Sequence, residues 1–556
     1  MRIVLILFSF LLFNANFSQE KYWIYLTDKE GVEFNPHTYF DQKAINRRIK
    51  NNVPLNHITD RPLRTDYQKK ISSIAESICG HTRWFNAIAC KLTPQQLIEI
   101  RKLTFVKEVA AMSTSTVFAD GNDYKELHKG EYDLLEGQIA SMHGKQFTKN
   151  GLTGKGIRIC IIDAGFPNVN TSSIYKHIRD NNRILKTWDF KKNKPDIYRY
   201  SSHGSTVLSC IAGKRNELFI GLAIDSEFLL ARTERIMYEG DSEEEDWLMA
   251  IEWADKNGAD IVNSSLGYTS ARHFIEDMNG ETCIISKAGN LAARKGMLVI
   301  NAAGNDGDGN WKYIGAPADA DSVLSVGGIN PWTGLHTAFS SYGPTADHRL
   351  KPNLSAFGHV MGYSPGVGVH ETQGTSFSSP LVAGFAACAW QSDTSLTNMQ
   401  LFKKLEESAN LHPYFDYAHG YGIPQATYFT EELGEMEEME TFTIDESESL
   451  IQILIKDDYF TIEDKIVFDY FPYTFKKINL IPWLHLQDTY STLDSNIKKS
   501  GAGYFYYHIE NDAGYLDEYF VLSVYEKNIL RIRKSENIGK TYRFHYKGTS
   551  KTITLE

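Results

Sequence analysis

The chain has 556 residues, 42% of them hydrophobic and 23% charged, enough for about three domains of ordinary globular composition. Its formal net charge of −11 argues against a general nucleic-acid binder and against attraction to anionic membranes. Six cysteines in this length are not a disulfide scaffold, and none of their spacings suits a zinc site.

Residues 1–18 read as an export signal: Arg2, an apolar run from Ile3 to Phe13, then mostly small residues from Ala15 to Ser18. That run is too short to span a bilayer, and no other segment is a transmembrane candidate, so the expectation is a secreted protein with no integral membrane segment. Residues 19–118 form a small α+β unit. Strands are predicted at Lys21–Leu26, Trp84–Leu92 and Val106–Val109, with a helix opened by a Thr93 cap and Pro94 in its first position. Ahead of an exported domain, such a unit is a propeptide or an accessory domain. Cys79 and Cys90 are candidates for a disulfide, whereas Cys160, Cys210 and Cys388 lie in apolar runs and read as buried thiols.

Residues 119–430 change character. Strand-length apolar runs at Ile157–Ile162, Phe228–Arg232, Asp260–Ser264, Met297–Ala302 and Val323–Val326 alternate with helical patterns near 204–212, 243–257, 287–295 and 377–391. Near-continuous apolar strands separated by helices predict an α/β domain with a mainly parallel sheet flanked by helices. Residues 431–440 carry six glutamates and read as a solvated linker. Over 441–556 the helical pattern disappears. Aromatic and β-branched runs at Tyr459–Ile462, Lys465–Tyr470, Gly503–Ile509, Tyr519–Tyr525, Tyr542–Tyr546 and Lys551–Leu555 predict an all-β, sandwich-like domain.

Four polar residues of the α/β region sit at strand ends or helix starts. Asp163 follows a buried strand, where an unpaired charge is costly and where open α/β sheets place ligand crevices. His203 begins a helix whose dipole disfavours the imidazolium, which favours the neutral form a general base needs. Asn305 ends Val299–Asn305 beside Gly304, and its amide can serve a turn or donate to an oxyanion. Ser376, in Gly374-Thr375-Ser376-Phe377-Ser378-Ser379-Pro380, stands at the mouth of a small-residue helix, where a serine is either a cap or a nucleophile. Each is ambiguous alone. Together they place a nucleophile, a base, an orienting acid and an oxyanion donor on one rim.

The order Asp, His, Asn, Ser resembles the subtilisin-like serine peptidases, or subtilases. Subtilisin is itself the standard illustration of this order and of an asparagine oxyanion donor. The resemblance is carried by Ile162-Asp163-Ala164-Gly165, His203-Gly204-Ser205, Asn263-Ser264-Ser265-Leu266-Gly267, Ala303-Gly304-Asn305, Phe339-Ser340-Ser341-Tyr342-Gly343-Pro344 and Gly374-Thr375-Ser376. It covers about residues 132–426, and Gly420-Tyr421-Gly422-Ile423-Pro424 resembles the usual end of the catalytic domain. It implies a catalytic triad of Asp163, His203 and Ser376, with Asn305 in the oxyanion hole. It also implies that Ser265, Leu266 and Gly267 pair with extended substrate, and that Ala303 and Gly304 line the primary pocket. Residues 20–112 resemble the family's inhibitory propeptide, with a cleavage point between about 110 and 131. Phe377 stands where many subtilases carry methionine, and Tyr268–Arg294 looks like an insertion.

The resemblance implies an endopeptidase made as a self-processing zymogen. Its partners would be protein or peptide substrates, accepted with sizeable apolar side chains, and its own propeptide. No cofactor is required for the chemistry. Structural calcium is common in the family, and Asp306-Gly307-Asp308-Gly309-Asn310 has oxygen ligands for it, although turn chemistry explains that stretch equally well. A monomer is expected, with the C-terminal domain serving sorting or surface attachment by analogy. The acidic stretch Asp241–Asp246 reads as a helix start favoured by the dipole, with a preference for basic substrates as the alternative. Two other classes stay open on sequence: a binding protein with a silent protease fold, and a hydrolase of another acyl substrate.

Overall fold

The computed structural model describes residues 20–112, 129–216, 218–234, 243–270, 272–430, 440–459, 503–511, 513–524 and 527–555. The export signal, the acidic linker up to residue 439, the cleavage region from 113 to 128 and the strand candidate Lys465–Tyr470 lie outside them, as does all but Tyr459 of the candidate Tyr459–Ile462. The described chain divides into two compact units.

The first unit comprises residues up to 35 and from 56 to 114. It is a four-stranded antiparallel sheet in the order β2-β3-β1-β4, with β1 Glu20–Leu26, β2 Ser77–Thr82, β3 Ala87–Leu92 and β4 Val106–Ala111. Between β1 and β2 the chain forms helix α1 (Gln42–Lys50), which groups with the second unit, and α2 (Thr65–Ile74); α3 (Pro94–Ile100) follows β3. The Thr93 cap is a full capping box, with Thr93 and Gln96 each satisfying the other's backbone N–H. The stretch Trp84–Leu92 is not one strand. A turn carrying Asn86 at φ 51° precedes β3.

The second unit contains a seven-stranded sheet in which every pairing is parallel. Its strands are β5 Arg158–Asp163, β6 Ile184–Asp189, β7 Glu227–Arg232, β8 Ile261–Ser264, β9 Leu298–Ala302, β10 Val323–Ile329 and β11 Leu354–Phe357, in the order β11-β10-β9-β8-β5-β7-β6. The edge strands β6 and β11 are additions to the sequence reading. Helices α4 (His203–Ala212), α5 (Glu243–Lys256), α6 (Ile284–Arg294), α7 (Thr375–Ser392) and α8 (Asn398–Glu407) complete the layers. Alternate strand residues face opposite layers. Ile159 and Ile161 share a core with Val207 and Ile211 of α4 and Leu381 and Phe385 of α7, while the equally buried Cys160 and Ile162 lie outside that cluster. Helices α5 and α6 pack on each other. Parallel neighbours need a crossover, and α6 supplies the one between β8 and β9. Within Tyr268–Arg294, the stretch read as an insertion, residues 284–294 are this crossover helix. Cys160, Cys210, Cys283 and Cys388 are buried free thiols.

A hairpin, β12 (His359–Ser364) and β13 (Gly368–Gln373), leads into α7. Beyond residue 440 the described chain is β apart from two single 3-10 turns, Asp457–Tyr459 and Lys534–Glu536, so Tyr459 is not in a strand. One antiparallel sheet runs β14-β15-β18 (Phe442–Glu446, Leu450–Ile455, Asn528–Arg533). The other runs β17-β16-β19-β20 (Leu516–Ser523, Tyr504–Glu510, Thr541–Tyr546, Thr549–Thr554). They share one core, in which Phe442, Ile451 and Ile453 of the first sheet meet Phe505, Tyr507 and Phe544 of the second.

Candidate active site

Because all seven strands run the same way, their carboxyl ends share one rim. Asp163 is the last residue of β5, Ser265 follows β8, and Asn305 lies three residues past β9. β5 and β8 are neighbours at the point where the strand order reverses, the place at which open α/β sheets form a crevice. Helix α7 begins beside it.

The Asp163 side chain is fully buried and faces His203, whose Nδ1 lies 2.9 Å from Oδ1 and 3.0 Å from Oδ2. Asp163 Oδ1 also accepts from the Ala164 N–H at 2.7 Å. An ionised carboxylate at Nδ1 sets the tautomer: the proton sits on Nδ1 and the lone pair on Nε2. The helix dipole does not decide the charge of His203, contrary to the sequence expectation. Burial pushes its pKa down, but the Asp163 carboxylate, by charge and by hydrogen bond, with Glu234 adding to it, lifts it above the ordinary imidazole value.

Ser376 is in the first turn of α7, directly after Thr375, and its side chain is part-exposed. Its hydroxyl donates to the Ser265 carbonyl at 3.3 Å, and the Ser265 hydroxyl donates back to the Ser376 carbonyl at 2.8 Å. Among the described residues no hydrogen bond joins Ser376 to His203. The next residue links the two positions: the Phe377 ring packs on the His203 ring with centroids 5.4 Å apart.

Asn305 is aimed by Thr375, a residue the sequence reading did not single out. The Thr375 N–H and hydroxyl lie 2.9 and 3.0 Å from Asn305 Oδ1. With the amide oxygen so engaged, Nδ2 is presented away from Thr375. The same hydroxyl lies 3.1 Å from the Gly304 carbonyl and accepts from the Gly304 N–H at 3.2 Å. Gly374, at φ 139°, takes a backbone conformation that disfavours a side chain, and a Cβ there would stand 3.4 Å from Asn305 Nδ2.

Residues 154–422 match the Subtilase family model, and residues 21–126 match the model described as Peptidase S8 propeptide domain, Bacteroidota. Residues 154–422 form a subtilase domain. The minor extracellular protease Epr of Bacillus subtilis is 28% identical over 301 residues, 53% of this chain and 42% of that protein. The alkaline elastase YaB of a Bacillus species is 29% identical over 259 residues, 47% of this chain and 61% of that protein. Subtilisin Savinase of Lederbergia lenta is 28% identical over 263 residues, 47% of this chain and 85% of that protein. The chain thus spans less than two thirds of the first two relatives.

Within the subtilase domain, Ser265, Leu266 and Ala303 are buried, whereas Gly304 is part-exposed and Gly267 exposed. The Leu266 carbonyl accepts from Asn301 Nδ2 at 2.9 Å, and the space about Gly267 is open. The network continues inward: Ser379 donates to Asn263 Oδ1 at 2.9 Å, and Asn263 Nδ2 donates to the Ser265 hydroxyl at 3.2 Å. The acidic start of α5 has three cationic partners. Lys191 meets Asp246 at 2.7 Å, Arg272 lies 3.5 Å from Glu244, and His273 lies 3.0 Å from Glu244. Residues Asp306–Asn310 form a turn, whose Asp306 carbonyl accepts from the N–H groups of Gly309 and Lys312. Among the described residues no cluster of three His, Cys, Asp or Glu side chains is placed to hold a metal ion, and none of the helices is long and apolar enough to cross a membrane.

Proposed function

We propose that the chain is the precursor of a secreted serine endopeptidase that cleaves peptide bonds with Asp163, His203 and Ser376. The observation that carries this reading is the pairing of buried Asp163 with part-exposed His203 at the reversal point of the sheet, with Ser376 and Asn305 on the same rim. The family models support it from both sides, a subtilase domain preceded by a subtilase propeptide.

In this mechanism the Ser376 hydroxyl leaves the Ser265 carbonyl by rotation about χ1 and delivers its proton to His203 Nε2 as Oγ attacks the substrate carbonyl. Asp163 stabilises the imidazolium without taking the proton. The tetrahedral oxyanion is held by Asn305 Nδ2 and by the Ser376 N–H, which lies in the first helical turn and has no intrahelical acceptor. His203 then protonates the leaving amine. A water, deprotonated by His203, releases the acyl group and restores Ser376. Extended substrate would pair with the main chain at 265–267, Gly267 being the open position. Ala303 and Gly304 would border the primary pocket. The segment up to the 110–131 region acts as the zymogen's propeptide and own inhibitor.

The test is to express the full chain and its Ser376→Ala variant, then follow the propeptide band, casein cleavage and labelling by a fluorophosphonate. Maturation, cleavage and labelling are expected for the parent alone. Labelling or cleavage equal in both proteins would remove Ser376 from its role.

A further inference from the structure

Among the described residues, helix α1 and its flanks, residues 36–55, are the part of the propeptide-matched region that groups with the subtilase unit. Residues 36–55 leave the first unit, dock on the second, and return. The docking is not apolar alone: Ala44 and Ile45 are buried, and so are two charged side chains. Arg48 makes a two-pronged ion pair with Asp255, Nη1 to Oδ1 at 2.6 Å and Nη2 to Oδ2 at 2.7 Å. Arg47 also bonds Asp255 Oδ1 and the Ala259 carbonyl, and its Nε reaches the Lys295 carbonyl at 3.2 Å. All three side chains are buried, none more than 2% exposed. Around this centre Asp41 pairs with Arg158 at 3.1 Å, Lys43 with Asp260 at 2.9 Å, and Lys50 bonds the Thr394 carbonyl at 3.2 Å.

Two observations on the receiving side make this a built site. Asp255 lies in the last turn of α5, where the helix dipole opposes a negative charge, so the carboxylate is placed against the helix's own field and is matched by the two guanidinium groups. The helix ends beneath the arm are glycines with no room for more: a Cβ on Gly296 would stand 2.5 Å from Asn51 Nδ2, and one on Gly258 2.9 Å from the Lys43 Cβ. The location is equally informative. Arg158, Asp260 and Lys295 stand at or just before the amino ends of β5, β8 and β9. The arm therefore docks at the opposite pole of the sheet from Asp163 and Asn305.

We infer that residues 36–55 are a docking arm that holds the prosegment on the subtilase domain after the junction is cut, through Arg47, Arg48 and Asp255 and independently of the catalytic rim. This rests on the proposed reading of the N-terminal region as a removable propeptide. Junction cleavage and prosegment loss are then separate events, and loss follows only when the arm lets go or is itself cut at its flanks. A buried charge pair resists salt screening, so the attachment persists at high ionic strength.

The experiment uses the full chain carrying Ser376→Ala, so that its result does not depend on catalysis, with a site for an added specific protease placed between residues 113 and 128. After cutting, the N-terminal fragment is expected to co-elute with the rest on size exclusion in both 0.15 M and 1 M salt, about the physiological and fully screened conditions. Amides of residues 42–50 should stay protected from hydrogen exchange. In Arg47→Ala/Arg48→Ala, release should be faster by about a hundredfold or more, because a buried carboxylate has lost both partners. Asp255→Asn, which keeps the side chain's shape, should speed release in the same direction and serves if the double variant does not accumulate. Immediate loss of the fragment from the cut parent, exchange of the 42–50 amides, or release unchanged by these substitutions would overturn the inference. Failure of Ser376→Ala to abolish labelling would instead strike the proposed catalysis and leave the arm untouched.

Discussion

Thr375→Val tests whether the aim of Asn305 is set by its neighbour. Valine matches threonine in shape but removes a fully buried hydroxyl that stands 3.0 Å from Asn305 Oδ1 and within 3.2 Å of both backbone groups of Gly304. The Thr375 N–H still holds the Asn305 oxygen at 2.9 Å, so the amide keeps one of its two tethers. Losing a hydrogen bond costs about 0.5–1.5 kcal/mol, and a buried backbone group left without a partner about 1–3 kcal/mol. Losing the whole oxyanion donor costs about 2.7–4 kcal/mol. The expected fall in kcat therefore lies between about threefold and a hundredfold, below that of Asn305→Ala, with KM little changed because the donor acts on the transition state. Steady-state cleavage of a chromogenic peptide by parent, Thr375→Val, Asn305→Ala and the double variant gives the coupling. Once Asn305 is gone, removing the Thr375 hydroxyl should cost kcat almost nothing, while the melting temperature should still fall, because the bonds to Gly304 are lost in both backgrounds. Additive losses in kcat would refute the reasoning.

Three further outcomes follow from the same geometry. Asp163→Asn should leave the protein folded and lower kcat by about 10⁴-fold. The carboxylate raises the His203 pKa, so kcat/KM of the parent should decline with acid from above the ordinary imidazole value, and the limb of any residual activity in the variant should move to lower pH. Gly374→Ala should lower kcat at least tenfold, since a side chain is strained at φ 139° by about 1–2 kcal/mol and relief of that strain would shift the Asn305 Nδ2 it touches at 3.4 Å; unchanged kinetics would show that the rim tolerates it. Burial pushes His545 down to about 4, so between the unfolded value near 6.5 and that point the unfolded chain binds the extra proton and stability drops as pH falls; His545→Asn should remove up to about 3 kcal/mol of that acid sensitivity, read as a flatter dependence of melting temperature on pH from 6.5 to 4.

The residues of the rim were legible because each chemical role demands a residue type beside small neighbours at a strand end or a helix start: Asp163 and Asn305 carry the first mark, His203 and Ser376 the second. Edge strands did not carry it. Ile184–Asp189 alternates imperfectly and exposes Leu185 and Lys186, while Leu354–Phe357 has only four residues. Thr375 was hidden because a threonine that aims another side chain looks like any helix-start threonine. Helix α1 was hidden for a different reason. Gln42–Lys50 buries only Ala44 and Ile45 as apolar residues, a narrow face, and buries Arg47 and Arg48 beside them. Hydrophobic periodicity reports burial driven by apolar area, so it is blind to a helix seated by guanidinium groups on a single carboxylate.

The C-terminal strands puzzle a period-two reading, because Tyr504–Glu510 is aromatic or apolar in both phases. A strand solvated on one face would alternate with polar residues. The structure explains the departure. Phe505, Tyr507 and Ile509 face the domain's own core. Tyr506 and Val521, in the opposite phase, join Leu335, Leu411 and Tyr414 of the subtilase domain, and Leu516 and Tyr519 join Tyr342 and Tyr417. Polar groups lock the same seam: His508 Nδ1 bonds the Phe415 carbonyl at 2.6 Å while its Nε2 meets Glu510 at 2.8 Å. Asp416, buried beneath it, accepts from Tyr414 at 2.9 Å and is paired with His419. A sheet whose two faces are both buried is a middle layer. Residues 411–421 end the subtilase fold and also form the floor on which the β domain rests. The two domains are therefore expected to melt in a single calorimetric transition, and two separate transitions would show that the seam does not couple them.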